Sequence, residues 1–251
     1  MIRLILVALY VALFLILTMP LMLASWIIGK FNSRAADKLA NSVVMWGFRC
    51  VWFICGIKLD VRGREKVPAD KSLLYVSNHR SLFDIVIGYP LCKCPTGVIS
   101  KKSIKKIPLL NIWMMLLKCL FLDRSNTKKG LEVILKAIEL EKEGVSILIF
   151  PEGTRIRDYT SDKLLPMHNG SFKIATKSGA MIQPITMVGT ENIMAKHMPF
   201  VRSAKVTVVF GDPIDPSQLD KDTLKNIGAY VGSIIEDTYS SVIKEGGKAS
   251  R

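Results

Sequence analysis

The chain opens on an apolar run in which no residue from Leu4 to Gly29 is charged, longer than the roughly 20 residues that cross a hydrocarbon core. Pro20 falls in its second half, where it removes an amide donor and bends or breaks a helix. Two arrangements follow: a helix that spans the bilayer, or a bent helix lying in one leaflet. A cleaved signal peptide fits less well. The run exceeds the usual apolar core of roughly 7 to 15 residues, and Ala24-Ser25 is only a poor approach to a small-x-small cleavage site. A second apolar stretch, Val43 to Ile57, is too short to cross and carries Arg49 at its centre. Its two tryptophans, Trp46 and Trp52, suit the headgroup boundary; the alternative is a helix of the soluble core.

After Lys58 short apolar runs alternate with helical periodicity, the signature of an α/β fold. The pattern predicts strands at Ile57–Val61, Leu73–Ser77, Gly97–Ser100, Cys119–Leu122, Val145–Phe150, Met181–Val188 and Lys205–Phe210. A helix is predicted over Thr127–Lys142, with Leu131, Ile134, Leu135 and Ile138 on one face, Asn126 or Thr127 as cap and Gly144 as stop. Another is predicted from Pro216 to about Lys244, followed by a polar tail expected to be disordered. The organisation that results is a helical membrane-associating segment over 1–57, a catalytic domain over 58–245 and a tail over 246–251.

Composition narrows the partners. Lys and Arg number 35 against 21 Asp and Glu, a formal +14, which favours anionic partners. A positive mean hydropathy together with the uncharged N-terminal run points to a membrane surface rather than nucleic acid. Arg3 precedes the run and Lys30, Arg34, Lys38 and Arg49 follow it, so a spanning helix leaves the rest of the chain on the cytoplasmic side. Cys50, Cys55, Cys92, Cys94 and Cys119 have no paired CxxC spacing and read as reduced thiols; no metal site is expected.

Two polar strings carry the chemistry. Asn78-His79-Arg80-Ser81-Leu82-Phe83-Asp84 follows a predicted strand, and a histidine just ahead of a helix can fold back onto an aspartate in its first turns. That contact fixes the imidazole tautomer and leaves the other ring nitrogen to take a proton. Phe150-Pro151-Glu152-Gly153-Thr154-Arg155 follows another strand. Gly153 permits close backbone approach, Arg155 offers fork-shaped donation to phosphate, and Glu152 can hold that guanidinium or a neighbouring amide. A base and an anion cradle suggest a phosphorylated substrate. Between Lys93 and Lys129 lie nine Lys or Arg and one acid. This stretch suits anionic headgroups, substrate phosphate or an acidic carrier protein, or is a solvated face. Leu109–Leu117 beside it can dip into a bilayer, line an acyl channel or pack in the core.

These strings resemble the ordered boxes of the PlsC-type glycerolipid acyltransferases, most of all the lysophosphatidic acid acyltransferases. The likeness covers roughly Leu59 to Val188: His79 to Asp84, Lys102 to Pro108, Phe121-Leu122-Asp123-Arg124, Pro151 to Arg155 and Ile182-Gln183-Pro184-Ile185. The resemblance implies a single domain with a mostly parallel or mixed sheet flanked by helices, and an enzyme of phospholipid biosynthesis. It implies direct transfer of an acyl chain from an acyl carrier protein or coenzyme A thioester to the sn-2 hydroxyl of lysophosphatidic acid, with no cofactor and no covalent acyl-enzyme. His79 becomes the base and Asp84 its orienter. Lys102, Arg124 and Arg155 hold the acceptor phosphate, while Glu152, Gly153 and Thr154 shape the cradle. The oxyanion donors are not identified by the resemblance; backbone amides near Gly153 are the candidates. Glycerol 3-phosphate, a lyso-ornithine lipid and a non-catalytic membrane-binding module are the competing readings. The chain departs from the family pattern at Asn111, often glycine, at Ile156, often serine, and at Met167-His168-Asn169, where a phenylalanine and lysines usually precede Gly170.

Overall fold

The computed structural model describes residues 1–249 apart from Cys94, Arg124, Arg157, Thr160 and Asp162, and leaves aside the side chains of Thr127 and 247–249. Helix α1 (Ile2–Leu17) and helix α2 (Met19–Gly29) meet at 46°. The break falls at Thr18, whose hydroxyl donates to the Phe14 carbonyl at 2.6 Å. Pro20 sits in the first turn of α2, where its missing amide is not needed. Among the described residues no single helix is long and apolar enough to cross a membrane, although the bent pair passes on length and composition together.

Helix α3 (Ser33–Cys55) starts at Asn32, whose side chain accepts from the Ala35 amide, and stops at Gly56, whose φ of 66° suits glycine. It folds back on α1 and α2 so closely that a Cβ at Gly47 would lie 2.7 Å from the Phe14 ring. The second apolar stretch is therefore half of an amphipathic core helix. Ala40, Val44, Gly47, Val51 and Cys55 face inward at helical spacing, while Trp46 and Phe53 face outward.

Seven strands form one sheet in the order β1-β7-β6-β2-β5-β3-β4. They are β1 (Lys58–Arg62), β2 (Leu73–Ser77), β3 (Thr96–Lys101), β4 (Leu120–Leu122), β5 (Ser146–Ile149), β6 (Met181–Val188) and β7 (Lys205–Phe210), each within a residue of its predicted ends. Only the β6–β7 pair is antiparallel. Alternation divides the core. Leu73, Tyr75 and Leu148 face α1, α2, α3, α4 (Phe83–Gly88) and α5 (Leu110–Leu116). Leu74, Val76, Ile147 and Ile149 face α6 (Thr127–Lys142), α7 (Lys173–Ser178) and the C-terminal helix. Each fully buried Leu or Ile is worth roughly 1.5–3 kcal/mol, so the two layers are the main source of stability.

Several expectations are revised. The boundary at residue 57 does not divide the core, because Met22, Ala40, Val44, Val51 and Cys55 share one buried cluster with Leu73, Tyr75 and Leu148. The helix predicted from Pro216 is broken into a turn at Pro216–Gln218, α8 (Lys221–Lys225) and α9 (Ile227–Ala249). Asp220 restarts the chain as a cap, accepting from the Asp222 and Thr223 amides, and Asn226 ends that short helix. The tail expected from 246 is helical to Ala249, and Ser250 and Arg251 lie outside the described residues. In Leu109–Leu117, Trp113 is buried and donates from Nε1 to Thr18 Oγ1 at 3.1 Å, whereas Ile112 and Met115 remain exposed. Cys55, Cys92 and Cys119 are buried and unpaired, and burial pushes the Cys119 thiol up to about 12, so it stays protonated and unreactive. Cys94 lies outside the described residues.

Candidate active site

Strands β6, β2, β5, β3 and β4 run the same way, so the loops that follow them leave from one rim. Register then sets the neighbours. Val76 is opposite Ile149 and Pro184, so the two residues after Ser77 emerge between the loop after β5 and the end of β6. Asn78 takes the place of a ladder residue there: its side chain accepts from the Met187 amide at 2.8 Å and donates to the Met187 carbonyl at 2.9 Å. That clamp delivers His79 to the rim.

His79 Nδ1 lies 2.7 Å from Asp84 Oδ2. The same oxygen accepts from the Arg80 amide at 2.8 Å and the Ser81 amide at 2.7 Å, while Oδ1 accepts from Thr190 Oγ1 at 2.5 Å. Asp84 is fully buried, and a buried carboxylate has to be satisfied in this way. An oxygen already taking two amide N–H groups is an acceptor, so Nδ1 carries the proton and Nε2 presents its lone pair. The Phe150 ring stacks on the imidazole at 4.3 Å between centroids and restrains its plane.

Glu152 is also buried, but it does not hold Arg155 as one of the sequence alternatives had it. Its Oε1 accepts from the His79 amide at 2.7 Å, the other alternative. Burial pushes its carboxyl up to about 7, against the backbone N–H groups of His79 and Leu165 that favour the anion. Gly153 takes a φ of 70°, and a Cβ there would come within 3.4 Å of the His168 ring. Its own amide donates to the Phe150 carbonyl at 3.1 Å and is therefore not free as an oxyanion donor. Thr154 is exposed and lines, with Glu152, Gly153 and His168, an open cavity of about 590 Å³. Phe150, Leu122, Leu131, Ile134 and Ile149 give that cavity apolar walls.

Among the described cations, Arg155 stands beside His79 and Lys102 at a neighbouring cavity. Ile156 donates its amide to the His79 carbonyl at 3.2 Å, which brings Arg155 alongside; its side chain is exposed and makes no ion pair among the described residues. Lys102 Nζ pairs with Asp123 Oδ2 at 3.0 Å and lines a neighbouring cavity of about 530 Å³, which shares Leu122 and Asp123 with the larger one. The Ser125 hydroxyl first, and Lys102 second, hold the Asp123 carboxyl down at about 2. Arg124 lies outside the described residues. The buried arginine nearest the dyad is Arg80. Its Nε lies 3.4 Å from Glu191, and its guanidinium lies 5.1 Å from the Tyr239 ring centre.

A model of the acyltransferase family matches residues 58–188. The 1-acyl-sn-glycerol-3-phosphate acyltransferase of Borreliella burgdorferi is 30% identical over 179 residues, covering 71% of this chain and 70% of the relative. The chain belongs to the acyltransferase family. The Escherichia coli enzyme of the same name is 30% identical over 216 residues, 86% of this chain and 85% of its own. In fold, the chain superposes on the crystal structure of the 1-acyl-sn-glycerophosphate acyltransferase PlsC from Thermotoga maritima with a TM-score of 0.81 at 24% identity, over 96% of each.

Within this acyltransferase, sequence reasoning missed Thr190 and Glu191. They lie just past the end of the family match at 188, yet Thr190 donates to the buried Asp84 and Glu191 faces the buried Arg80. The available signal was position: Gly189-Thr190 directly follows a strand parallel to the one that delivers His79.

Proposed function

We propose that the protein moves a fatty acyl chain from an acyl carrier protein or coenzyme A thioester to the sn-2 hydroxyl of lysophosphatidic acid, giving phosphatidic acid, at the cytoplasmic face of a membrane. The observation that carries this reading is the His79–Asp84 contact at 2.7 Å on the rim beside an apolar-walled cavity of about 590 Å³. The names of the relatives, 1-acyl-sn-glycerol-3-phosphate acyltransferases, support the acceptor.

In the proposed reaction His79 Nε2 takes the proton of the acceptor hydroxyl as its oxygen attacks the thioester carbonyl carbon. Asp84 stabilises the imidazolium so formed and keeps the ring in place. The tetrahedral intermediate collapses with loss of the thiolate, which takes the proton back from His79. The thioester is a co-substrate and no cofactor enters. Arg155 and Lys102 carry the acceptor phosphate, with Arg124 assigned to the same task by the family resemblance alone. Glu152 and Gly153 hold the turn, and Thr154 lines the approach.

Residues 1–57 serve as the membrane attachment of a catalytic region over 58–245. Ile2, Ile5, Leu9, Leu13 and Ile16 form an exposed stripe on α1 and Leu23, Trp26 and Ile27 an exposed face on α2, while the inner side packs on α3. A bent pair with one face wet and one face in the core lies in a single leaflet more readily than it crosses. Lys30, Arg34, Lys38 and Arg49, which follow the pair, then meet the anionic headgroups of the cytoplasmic leaflet.

The test is to incubate purified protein with lysophosphatidic acid, glycerol 3-phosphate and a lyso-ornithine lipid, each with acyl carrier protein and coenzyme A thioesters, and to identify products by mass. Phosphatidic acid formed by the wild type and lost in His79→Ala supports the proposal. Product from another acceptor only, or no product from any, overturns it.

A further inference from the structure

Besides the exposed faces of α1 and α2, three further large apolar side chains stand in solvent: Phe53 is 88% exposed, Met198 71% and Phe200 46%. The loop that carries the last two is built from beneath. The Phe200 amide donates to the His197 carbonyl at 2.7 Å and the Arg202 amide to the Ile193 carbonyl at 2.8 Å, and Ile193 and Val201 are buried in the core. Met198 and Phe200 are thus held outward by an ordered loop.

Their place in the fold identifies what they meet. A Cβ at Gly56 would lie 3.2 Å from Ser203 Cβ and 3.6 Å from Arg3 Nη2. The loop, the end of α3 that carries Phe53 and the start of α1 with exposed Ile2 and Ile5 therefore share one corner. The corner adjoins the N-terminal end of α1. Its surroundings are basic: residues 195–205 contain Lys196, His197, Arg202 and Lys205 and no acid. Lys196 leans on Glu191 at 3.6 Å, which leaves Arg202 and Lys205 exposed at the rim. Apolar tips ringed by cations match the boundary of an anionic bilayer.

We infer that this corner is a second membrane contact, in which Met198, Phe200 and Phe53 enter the acyl–headgroup boundary while Arg202 and Lys205 meet lipid phosphates. The inference rests on the reading that α1 and α2 lie in a membrane, and extends the footprint onto the catalytic region itself. It has a consequence for the active site. The loop leaves the sheet through Thr190 and Glu191, so seating it sets the tilt of the His79 rim against the surface from which a lysolipid arrives.

The test uses the full chain, wild type and Met198→Asp/Phe200→Asp, with vesicles of phosphatidylcholine and phosphatidylglycerol, scored by co-sedimentation and by activity on vesicles and on mixed micelles. Expected is a loss of vesicle affinity of about tenfold or more, with micelle activity unchanged, and recovery in Met198→Leu/Phe200→Leu. Wild type that binds vesicles while the aspartate variant binds equally well overturns the inference and leaves the helix reading intact. Wild type that stays in solution overturns both. A change in oligomeric state of the aspartate variant in micelles, with vesicle binding unaltered, assigns the corner to a second copy of the chain and also overturns it.

Discussion

Thr190 Oγ1 donates to Asp84 Oδ1 across 106 residues of sequence, on the carboxylate oxygen that His79 does not use. Asp84 is fully buried, so removing this donor leaves a buried acceptor without a partner. Thr190→Val is expected to lower kcat by roughly 10- to 100-fold, from a loss of about 1.5–3 kcal/mol for a hydrogen bond to a charged group. KM for the acceptor stays near the wild-type value, because Thr190 reaches the reaction only through Asp84. Thr190→Ser restores most of the rate. Steady-state kinetics of the three proteins decides the matter; an unchanged kcat in Thr190→Val removes Thr190 from the positioning set.

Loss of the base should be more severe. His79→Ala is expected to cost on the order of 10²–10⁴ in kcat, the range of general-base catalysis. Asp84→Asn keeps the shape and an oxygen for the Arg80 and Ser81 amides, with its NH2 toward Thr190, but it removes the negative charge that stabilises the imidazolium, and is expected to lose activity comparably. Thermal unfolding of His79→Ala should match the wild type, since the ring is a rim group packed on Phe150.

Lys102 separates binding from chemistry. Its pair with Asp123 is largely exposed, so breaking it changes stability by less than about 1 kcal/mol. Lys102→Met is expected to raise KM for a phosphate-bearing acceptor severalfold with kcat nearly constant, and to flatten the salt dependence of kcat/KM. A fall in kcat with KM unchanged contradicts a role in holding phosphate.

A pH-dependent stability follows from Glu141, at the end of the sheet opposite the dyad. Its carboxyl is buried, accepts from Ser178 Oγ at 2.6 Å, and is pushed up to about 7 by burial despite that hydrogen bond. A carboxyl raised from 4.5 to about 7 binds its proton more tightly in the folded state. The folded form is therefore favoured below pH 4.5 and loses that advantage as pH rises to about 7. Glu141→Gln keeps an acceptor for Ser178 and has no charge to bury. Urea unfolding should show it close to the wild type near pH 4 and exceeding it near pH 8, by on the order of 3 kcal/mol. Equal midpoints at both pH values refute this.

Much of the architecture was legible because it is local. Alternating and continuous apolar runs marked every strand, since a strand buried on both faces is largely apolar, as Leu73-Leu74-Tyr75-Val76 is. The helix over Thr127–Lys142 announced itself through Asn126, whose side chain caps the Lys129 amide; of its predicted apolar face, Ile134 and Ile138 pack inward beside the buried Ala137, whereas Leu131 and Leu135 are exposed. Pro20 signalled the bend. His79 and Asp84 were readable as a pair because a short turn joins them.

What only the tertiary structure decided is which distant groups meet, because strand order and register place residues that no spacing along the chain relates. Parallel pairing of β2 with β5 and β6 brought Glu152 to the His79 amide and Thr190 to Asp84. It turned Arg155 outward and gave Lys102 to Asp123. The same folding joined the N-terminal helices to the catalytic core, since the apolar faces of α3 and the sheet are buried only against each other. Composition specified the pieces and their faces; burial of those faces chose the neighbours.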